Sequence, residues 1–387
     1  MRKVLLTIFT SVIALSFTLP IANAKEPEVE LAKNALSSVV IEQDTGKVLY
    51  EKDANKELPP ASMTKIMTML LIMEQINKGK LKLSDKVMTS EYAASMGGSQ
   101  IFLEPGEEMT VDEMLKGIAI ASGNDASVAM AEKVAGTEEA FVSMMNKEAK
   151  KLGLKHTHFK NTTGLPAPGH YSSAYDMAVM GRELLKYPLI TKYTGTYEDY
   201  LRQKTDKQFW LVNTNKLVKF YPGADGLKTG FTSEAKYCLT ATAKKNNMRV
   251  VSVIMGAPTS KDRNAQMTKL LDYSFNQFHV KSLIKKGEKV NQLKISKGKQ
   301  KAVDVVTKNP VTVVMKKGDN LNKVTKNISL VKNIQAPVKK GQVLGQLKLI
   351  KDGKTLMKTE LVAKVTVEKA SFFDLLKRTI GKFCKTP

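Results

Sequence analysis

The stretch PPASMTKIMTMLLIMEQINKG, residues 59–79, holds the two signals from which the rest of the chain can be read. Ile66, Met67, Met69, Leu70, Ile72, Met73 and Ile76 recur at helical spacing and Gly79 supplies a stop, so residues 61–78 are predicted to form a helix. At its start stands Ser62-Met63-Thr64-Lys65. A Ser and a Lys three residues apart at a helix N-terminus share one face, one turn apart, and bring a hydroxyl within reach of an amine. A serine hydroxyl is a poor nucleophile until a neighbouring base takes its proton, and a neutral lysine can do that. Lysine titrates near 10.4 in water, so the site must lower it by desolvation and by a second cation nearby. Lys228 is the expected second cation.

Outward from this helix, residues 37–43 and 48–52 read as two strands joined by the hairpin signal Asp44-Thr45-Gly46. Helical stretches are expected near residues 111–121, 126–134 and 137–152. Strands return over residues 221–257, punctuated by Gly223, Gly226, Gly230 and Gly256, and residues 263–278 close with a helix. Strands early, helices in the middle and strands late imply an α/β (α+β) domain, a sheet flanked by helices. Residues 281–368 change character: short Val, Ile and Leu alternations with Lys (302–306, 311–315, 343–349, 361–367) predict a small all-β domain. Residues 369–387 place Phe372, Phe373, Leu376, Ile380 and Phe383 on one helical face, mostly opposite Lys377, Arg378, Lys382 and Lys385. Such a helix is too short to span a bilayer and suits an in-plane anchor on a membrane surface; the competing reading packs it back on the protein.

The other end of the chain carries Arg2 and Lys3, an apolar run over residues 4–21, and Ala22-Asn23-Ala24 before a polar stretch. That order predicts a secretory signal peptide over residues 1–24, with residues 25–280 as the catalytic domain. An exported chain is implied. Two cysteines, Cys238 and Cys384, exclude a disulfide framework, and the four histidines give no convincing zinc spacing, so no metal or other cofactor is expected. The net charge of +24 is uneven, since residues 276–387 hold 26 Lys or Arg against 7 Asp or Glu. With almost no aromatic residue there to stack on bases before Phe372, a membrane or wall polymer fits this charge better than nucleic acid.

Ser-x-x-Lys alone is weak, because Ser233, Ser282, Ser296 and Ser329 begin further matches. Two later motifs give the first match its company. Ser122-Gly123-Asn124 follows the apolar run Ile118-Ala119-Ile120-Ala121, and by itself reads as loop or capping residues. Lys228-Thr229-Gly230 occurs once, on a glycine-punctuated strand where a glycine would let a substrate backbone approach closely. Their order, with Ser122 60 residues after Ser62 and Lys228 106 residues after Ser122, is that of penicillin-binding proteins and serine β-lactamases.

The fuller strings around these motifs, together with Asn161-Thr162-Thr163-Gly164-Leu165 and Ser172-Ser173-Ala174-Tyr175-Asp176, resemble the serine-type D-alanyl-D-alanine carboxypeptidases. These are low-molecular-mass penicillin-binding proteins, and the likeness extends to the β domain and the tail, closest to the type associated with endospore formation. The resemblance implies a β-lactamase/transpeptidase-like fold, peptidoglycan stem peptides ending in D-Ala-D-Ala as substrates, and β-lactams as ligands. It implies that Ser62 attacks, Lys65 is the base, and Ser122 relays a proton to the leaving D-alanine. Asn124 would orient the substrate amide, Lys228 would supply positive potential, and Thr229 and Arg263 would hold the terminal carboxylate. Gly230 belongs to the same strand, and the backbone N–H groups of Ser62 and Phe231 would form the oxyanion hole. His170 sits in a loop rich in Gly and Pro with no Ser/His/Asp signature around it, and reads as a loop histidine.

A serine β-lactamase would share the three motifs. In its best-known class, however, a glutamate before Lys-Thr-Gly positions water, and residues 159–171 contain no acidic side chain. A non-catalytic wall-binding protein would not need Ser62, Lys65, Ser122, Asn124 and Lys228 intact together.

Overall fold

The computed structural model describes residues 30–203, 205–319, 322, 324–351 and 353–383, so the expected signal peptide and Cys384 lie outside the described residues. The hairpin signal is realised as β1 (Ser37–Glu42) and β2 (Val48–Lys52), paired antiparallel. A 3-10 turn, Ala61–Thr64, then leads into α1 (Lys65–Asn77). The α-helix therefore starts at Lys65, and Ser62 lies in the tighter turn before it.

A short hairpin, β3 (Lys86–Met88) with β4 (Glu108–Thr110), encloses α2 (Glu91–Ala94). Next comes α3 (Val111–Lys116), whose Thr110 and Glu113 form a reciprocal capping box. The predicted helix 111–121 does not stay α: Gly117–Ala121 widens into a π-turn that ends at Ser122. The helical middle continues as α4 (Asn124–Ala135), α5 (Glu138–Leu152), α6 (Ala174–Leu184) and α7 (Ile190–Thr194). A second hairpin, β5 (Glu198–Leu201) with β6 (Phe209–Val212), and the single turn α8 (Leu217–Phe220) precede β7 (Ala224–Thr232), β8 (Lys236–Lys245) and β9 (Met248–Ala257). The helix α9 (Ser260–Gln277) follows, N-capped by Thr259.

The five long strands form one antiparallel sheet in the order β2-β1-β9-β8-β7. The strand nearest the N-terminus thus pairs with β9, and β7 is left at the edge. The core between sheet and helices is built on α1. Every side chain of α1 from Lys65 to Glu74 is buried, which is how a helix enclosed on all sides looks. The polar members are satisfied inside: Thr68 Oγ1 donates to Thr162 O at 2.7 Å.

A second set of strands follows: β10 (Phe278–Ile284), β11 (Lys289–Lys294), β12 (Ala302–Thr307), β13 (Val311–Lys316), β14 (Thr325–Leu330), β15 (Val343–Lys351) and β16 (Lys354–Ala363). Five of them form a sheet in the order β11-β12-β16-β15-β14, while β10 pairs with β13. Val303, Val305, Leu347, Leu349 and Leu361 belong to its own apolar core. The expected alternation over 361–367 stops at Ala363, and Val367 returns only as a lone bridge to Val338.

The tail helix α10 (Phe372–Phe383) begins three residues later than the pattern suggested, because Lys369 bridges Gly298 and Ser371 caps the helix. Phe372, Phe373 and Leu376 are exposed, while Arg378 donates to Gly298 O at 2.7 Å and to Lys299 O at 2.5 Å. The described part of the apolar face is uncovered, and the basic face makes the tether.

Truncating Leu70, fully buried in α1, should leave a cavity in the larger core. Leu70→Ala is expected to cost about 2–5 kcal/mol, read as a lower urea midpoint at unchanged slope in the transition that carries the helical circular-dichroism signal.

Candidate active site

The Lys65 amine is the centre of the site. Its Nζ lies 3.2 Å from Ser62 Oγ, 2.6 Å from Asn124 Oδ1 and 2.8 Å from the Thr163 carbonyl oxygen. Asn124 is fixed in that orientation because its Nδ2 donates to Gly97 O at 2.6 Å. All three Lys65 partners are neutral. Burial, then the Lys228 cation, push the amine well below its ordinary value, against a smaller upward pull from Asp125. A neutral amine has two N–H bonds and one lone pair. With Asn124 Oδ1 and Thr163 O taking the two N–H groups, the lone pair is left for the Ser62 hydroxyl, which is the geometry of a base beside a nucleophile.

Two close approaches place the turn that carries Ser62. A Cβ on Gly164, at φ +87°, would lie 1.8 Å from Ala61 O and 2.9 Å from Ser62 N. One on Gly230 would lie 2.8 Å from Pro60 O and 3.2 Å from Met63 N. The sequence suggests that Gly230 admits a substrate backbone, whereas in the structure the neighbour it admits is the serine turn. Ala61 (φ +47°) and Ser122 (φ +68°) both hold the left-handed conformation that costs a non-glycine residue of order 1 kcal/mol. Ser62 is half-buried and Ser122 is buried directly after the π-turn.

Edge strand β7 carries the third motif. Lys228 is buried and donates to Thr229 O at 3.0 Å; burial and the Arg263 charge bring its amine down to about 7. Thr229 Oγ1 donates to Thr214 Oγ1 at 2.7 Å. Arg263, from the first turn of α9, is buried, with Nε donating to Asn264 Oδ1 at 3.0 Å, and it acts on Lys228 through space. Phe231 is 54% exposed with its ring 4.4 Å from that of Tyr237. A cavity of about 460 Å³ lies alongside the serine turn, lined by Pro60, Ala61, Gly164, Leu165, His170 and Thr232 among others.

Thr163, Gly164 and Thr214 were missed as members of this constellation. Residues 161–165 did stand out in the sequence, and the structure supplies their physical content: Asn161 Oδ1 accepts from the N–H of Gly164 at 2.7 Å and folds the turn that aims Thr163 O at Lys65. His170 is more than a loop residue. It is buried, its Nδ1 accepts from Lys160 N at 3.1 Å, and its Nε2 therefore carries the proton toward Thr64 Oγ1 at 2.8 Å. It ties the 159–171 loop to the serine turn.

The same backbone arrangement occurs in solved penicillin-binding proteins. Penicillin-binding protein 5 from Haemophilus influenzae matches with a TM-score of 0.72 and 31% identity over 87% of this chain and 98% of that one. The fold is thus that of the penicillin-binding serine enzymes. Residues 22–259 match the family described as D-alanyl-D-alanine carboxypeptidase, and residues 278–369 match the C-terminal domain of penicillin-binding protein 5. The chain is 61% identical, over the whole of both sequences, to the D-alanyl-D-alanine carboxypeptidase DacF of Bacillus subtilis. It is 34% identical to DacC of Escherichia coli over 92% of this chain and 90% of that one. The chain belongs to the D-alanyl-D-alanine carboxypeptidase family and is a hydrolase of that class. Of the readings open at the sequence level, this is the one that family membership supports.

Two outcomes follow from the geometry. Gly164→Ala should displace the Ala61–Ser62 peptide, so that acylation by a fluorescent penicillin falls at least tenfold while far-UV circular dichroism stays unchanged. His170, lowered from 6.5 to about 4 by burial and by His158, is neutral in the fold where the unfolded chain would be protonated. Stability is therefore whole above pH 6.5 and declines between 6.5 and 4, by roughly 3 kcal/mol from this group. His170→Gln should flatten that part of a stability-against-pH curve measured by urea unfolding.

Proposed function

We propose that this chain removes the terminal D-alanine from peptidoglycan stem peptides through an acyl-enzyme on Ser62. The single observation that carries the mechanism is the Lys65 amine, held by Asn124 and Thr163 with its remaining direction on Ser62 Oγ. Ser62 Oγ bonds to the carbonyl carbon between the two D-alanines as its proton passes to Lys65. The negative oxygen that develops is met by the N–H groups of Ser62 and Phe231, each worth roughly 3 kcal/mol of barrier in such sites. The C–N bond then breaks, and the proton reaches the leaving nitrogen through Ser122. Water attacks the ester, its hydroxyl joining the acyl carbon and a proton returning to Ser62 Oγ. Thr229 and Arg263 hold the terminal carboxylate, and Lys228 supplies positive potential where the substrate is negative. β-Lactams would enter the first step and stall at the ester.

The enzyme works outside the cell in this reading, exported by residues 1–24, with residues 25–280 as the catalytic domain and 281–368 as the β domain. Residues 369–387 rest on the outer face of the cytoplasmic membrane. The three uncovered apolar side chains of α10 support this, and basic residues near an anionic surface contribute about 1 kcal/mol each.

The test is incubation of the mature chain and of Ser62→Ala with a fluorescent penicillin and with diacetyl-Lys-D-Ala-D-Ala. Wild type should become labelled and release D-alanine, and Ser62→Ala should do neither. Rapid turnover of the penicillin, or release of D-alanine by Ser62→Ala, would contradict the mechanism.

A further inference from the structure

A separate groove of about 990 Å³ opens between the β3–β4 hairpin, the turn at residues 104–107 and the β5–β6 hairpin. Six carboxylates and four cations line it, with Gln203 and Thr205. On a chain of net charge +24 this is a locally acidic, hydrogen-bonding surface. Aromatic rings stand on and beside it. Tyr200, which lines the groove, is directly opposite Trp210 across the antiparallel pair, so both side chains leave the same face of the hairpin. They are 43% and 55% exposed. Phe102 is 64% exposed, holds a left-handed backbone at φ +55°, and meets the Phe209 ring edge-on at 5.6 Å. Phe209 neighbours Trp210 in β6, so the Phe102–Phe209 pair packs on the other face of the hairpin, and Tyr200 with Trp210 is the exposed aromatic pair that marks an interaction surface on the groove side.

This surface is mechanically joined to the Lys65 site. Arg202, at the end of β5, donates to Ile101 O at 3.0 Å and Phe102 O at 2.9 Å. The other end of that loop is held at Gly97 by Asn124, whose Oδ1 contacts Lys65. Beyond β6, Thr214 N donates to Ile120 O, and Thr214 Oγ1 accepts from Thr229.

We infer that this groove binds the saccharide strand to which the stem peptide is attached, a neutral chain of N-acetylated amino sugars. The inference rests on the stem-peptide reading of the Ser62 site. A pyranose ring has a C–H face that stacks on Tyr200 and Trp210, and its hydroxyl and acetamide groups pair with the carboxylate and amide side chains that line the groove. An anionic lipid or phosphate polymer would meet the excess of carboxylates and be disfavoured.

Trp210 is the only tryptophan and stands opposite Tyr200, which lines the groove, so its emission reports binding beside it. Titrating the chain with neutral oligosaccharides of N-acetylglucosamine should give a saturable shift in that emission, removed by Tyr200→Ala. Trp210→Ala and Tyr200→Ala should each lower kcat/KM for a disaccharide-linked pentapeptide roughly five- to tenfold, the worth of one aromatic contact. Turnover of diacetyl-Lys-D-Ala-D-Ala should not change. No response to the saccharide, a response to anionic lipid vesicles in its place, or equal losses on both substrates would overturn the inference. Should wild type fail on both peptides, the stem-peptide reading falls, and the saccharide titration still decides the groove.

Discussion

A lysine buried with only neutral partners is the constraint from which the site follows. Taking an ammonium group out of water costs several kcal/mol unless an opposite charge compensates. Lys65 has instead Ser62, Asn124 and Thr163 in contact and the Lys228 cation in its field. The folded state lowers that cost by favouring the uncharged amine, and the uncharged amine is what a serine needs beside it. Desolvation and reactivity here are one effect. The same logic repeats at Lys228, where burial comes first and Arg263 second, so the cation that acts on Lys65 is itself held down to about 7. The site is a graded series of basic groups, with the most buried, the uncharged Lys65 amine, nearest the hydroxyl.

Holding such a group requires a frame that does not relax around it. The serine turn is pressed by Gly164 on one side and Gly230 on the other, at separations no larger residue could share. Ala61 and Ser122 sit in left-handed backbone, and a π-turn delivers Ser122. Each departure is affordable because α1 is buried along its first ten residues and cannot shift to relieve it. Strain at the chemistry is thus held beside a helix buried over its first ten residues.

How far the sequence reveals this depends on the range of the interaction. The helix at 61–78 and the hairpin at Asp44-Thr45-Gly46 are local patterns: the hairpin forms where expected, while the α-helix starts only at Lys65, after a 3-10 turn that holds Ser62. The strands β10, β11 and β14 carry too many solvent-facing Lys, Asn and Ser residues to show a clean alternation, and were not singled out. Thr163 contributes a backbone carbonyl, which has no side-chain signature at all. Thr214 reaches Thr229 across the β6–β7 connection, and His170 reaches Thr64 across 106 residues, contacts that no periodicity encodes. Gly230 shows a limit of another kind, since its smallness was legible while the neighbour it accommodates was not.

The charge distribution completes the physical division of the chain. Residues 276–387 hold 26 of the 61 basic side chains but only 7 of the 37 acidic ones. Lys289–Asp304, Lys299–Glu368 and Lys308–Glu360 pair within this segment, yet all three are substantially exposed and each contributes little to stability. Like charges also face one another directly, as at Lys348 opposite Lys358 between β15 and β16, a juxtaposition that disfavours the sheet. A fold that carries this repulsion gains no stability from it, so the charge is better explained by attraction to something outside. The groove beneath Tyr200 has the reverse balance, with six carboxylates against four cations. An anionic surface would therefore draw the β-rich segment and α10 toward itself and repel the groove, so one field would orient the whole chain.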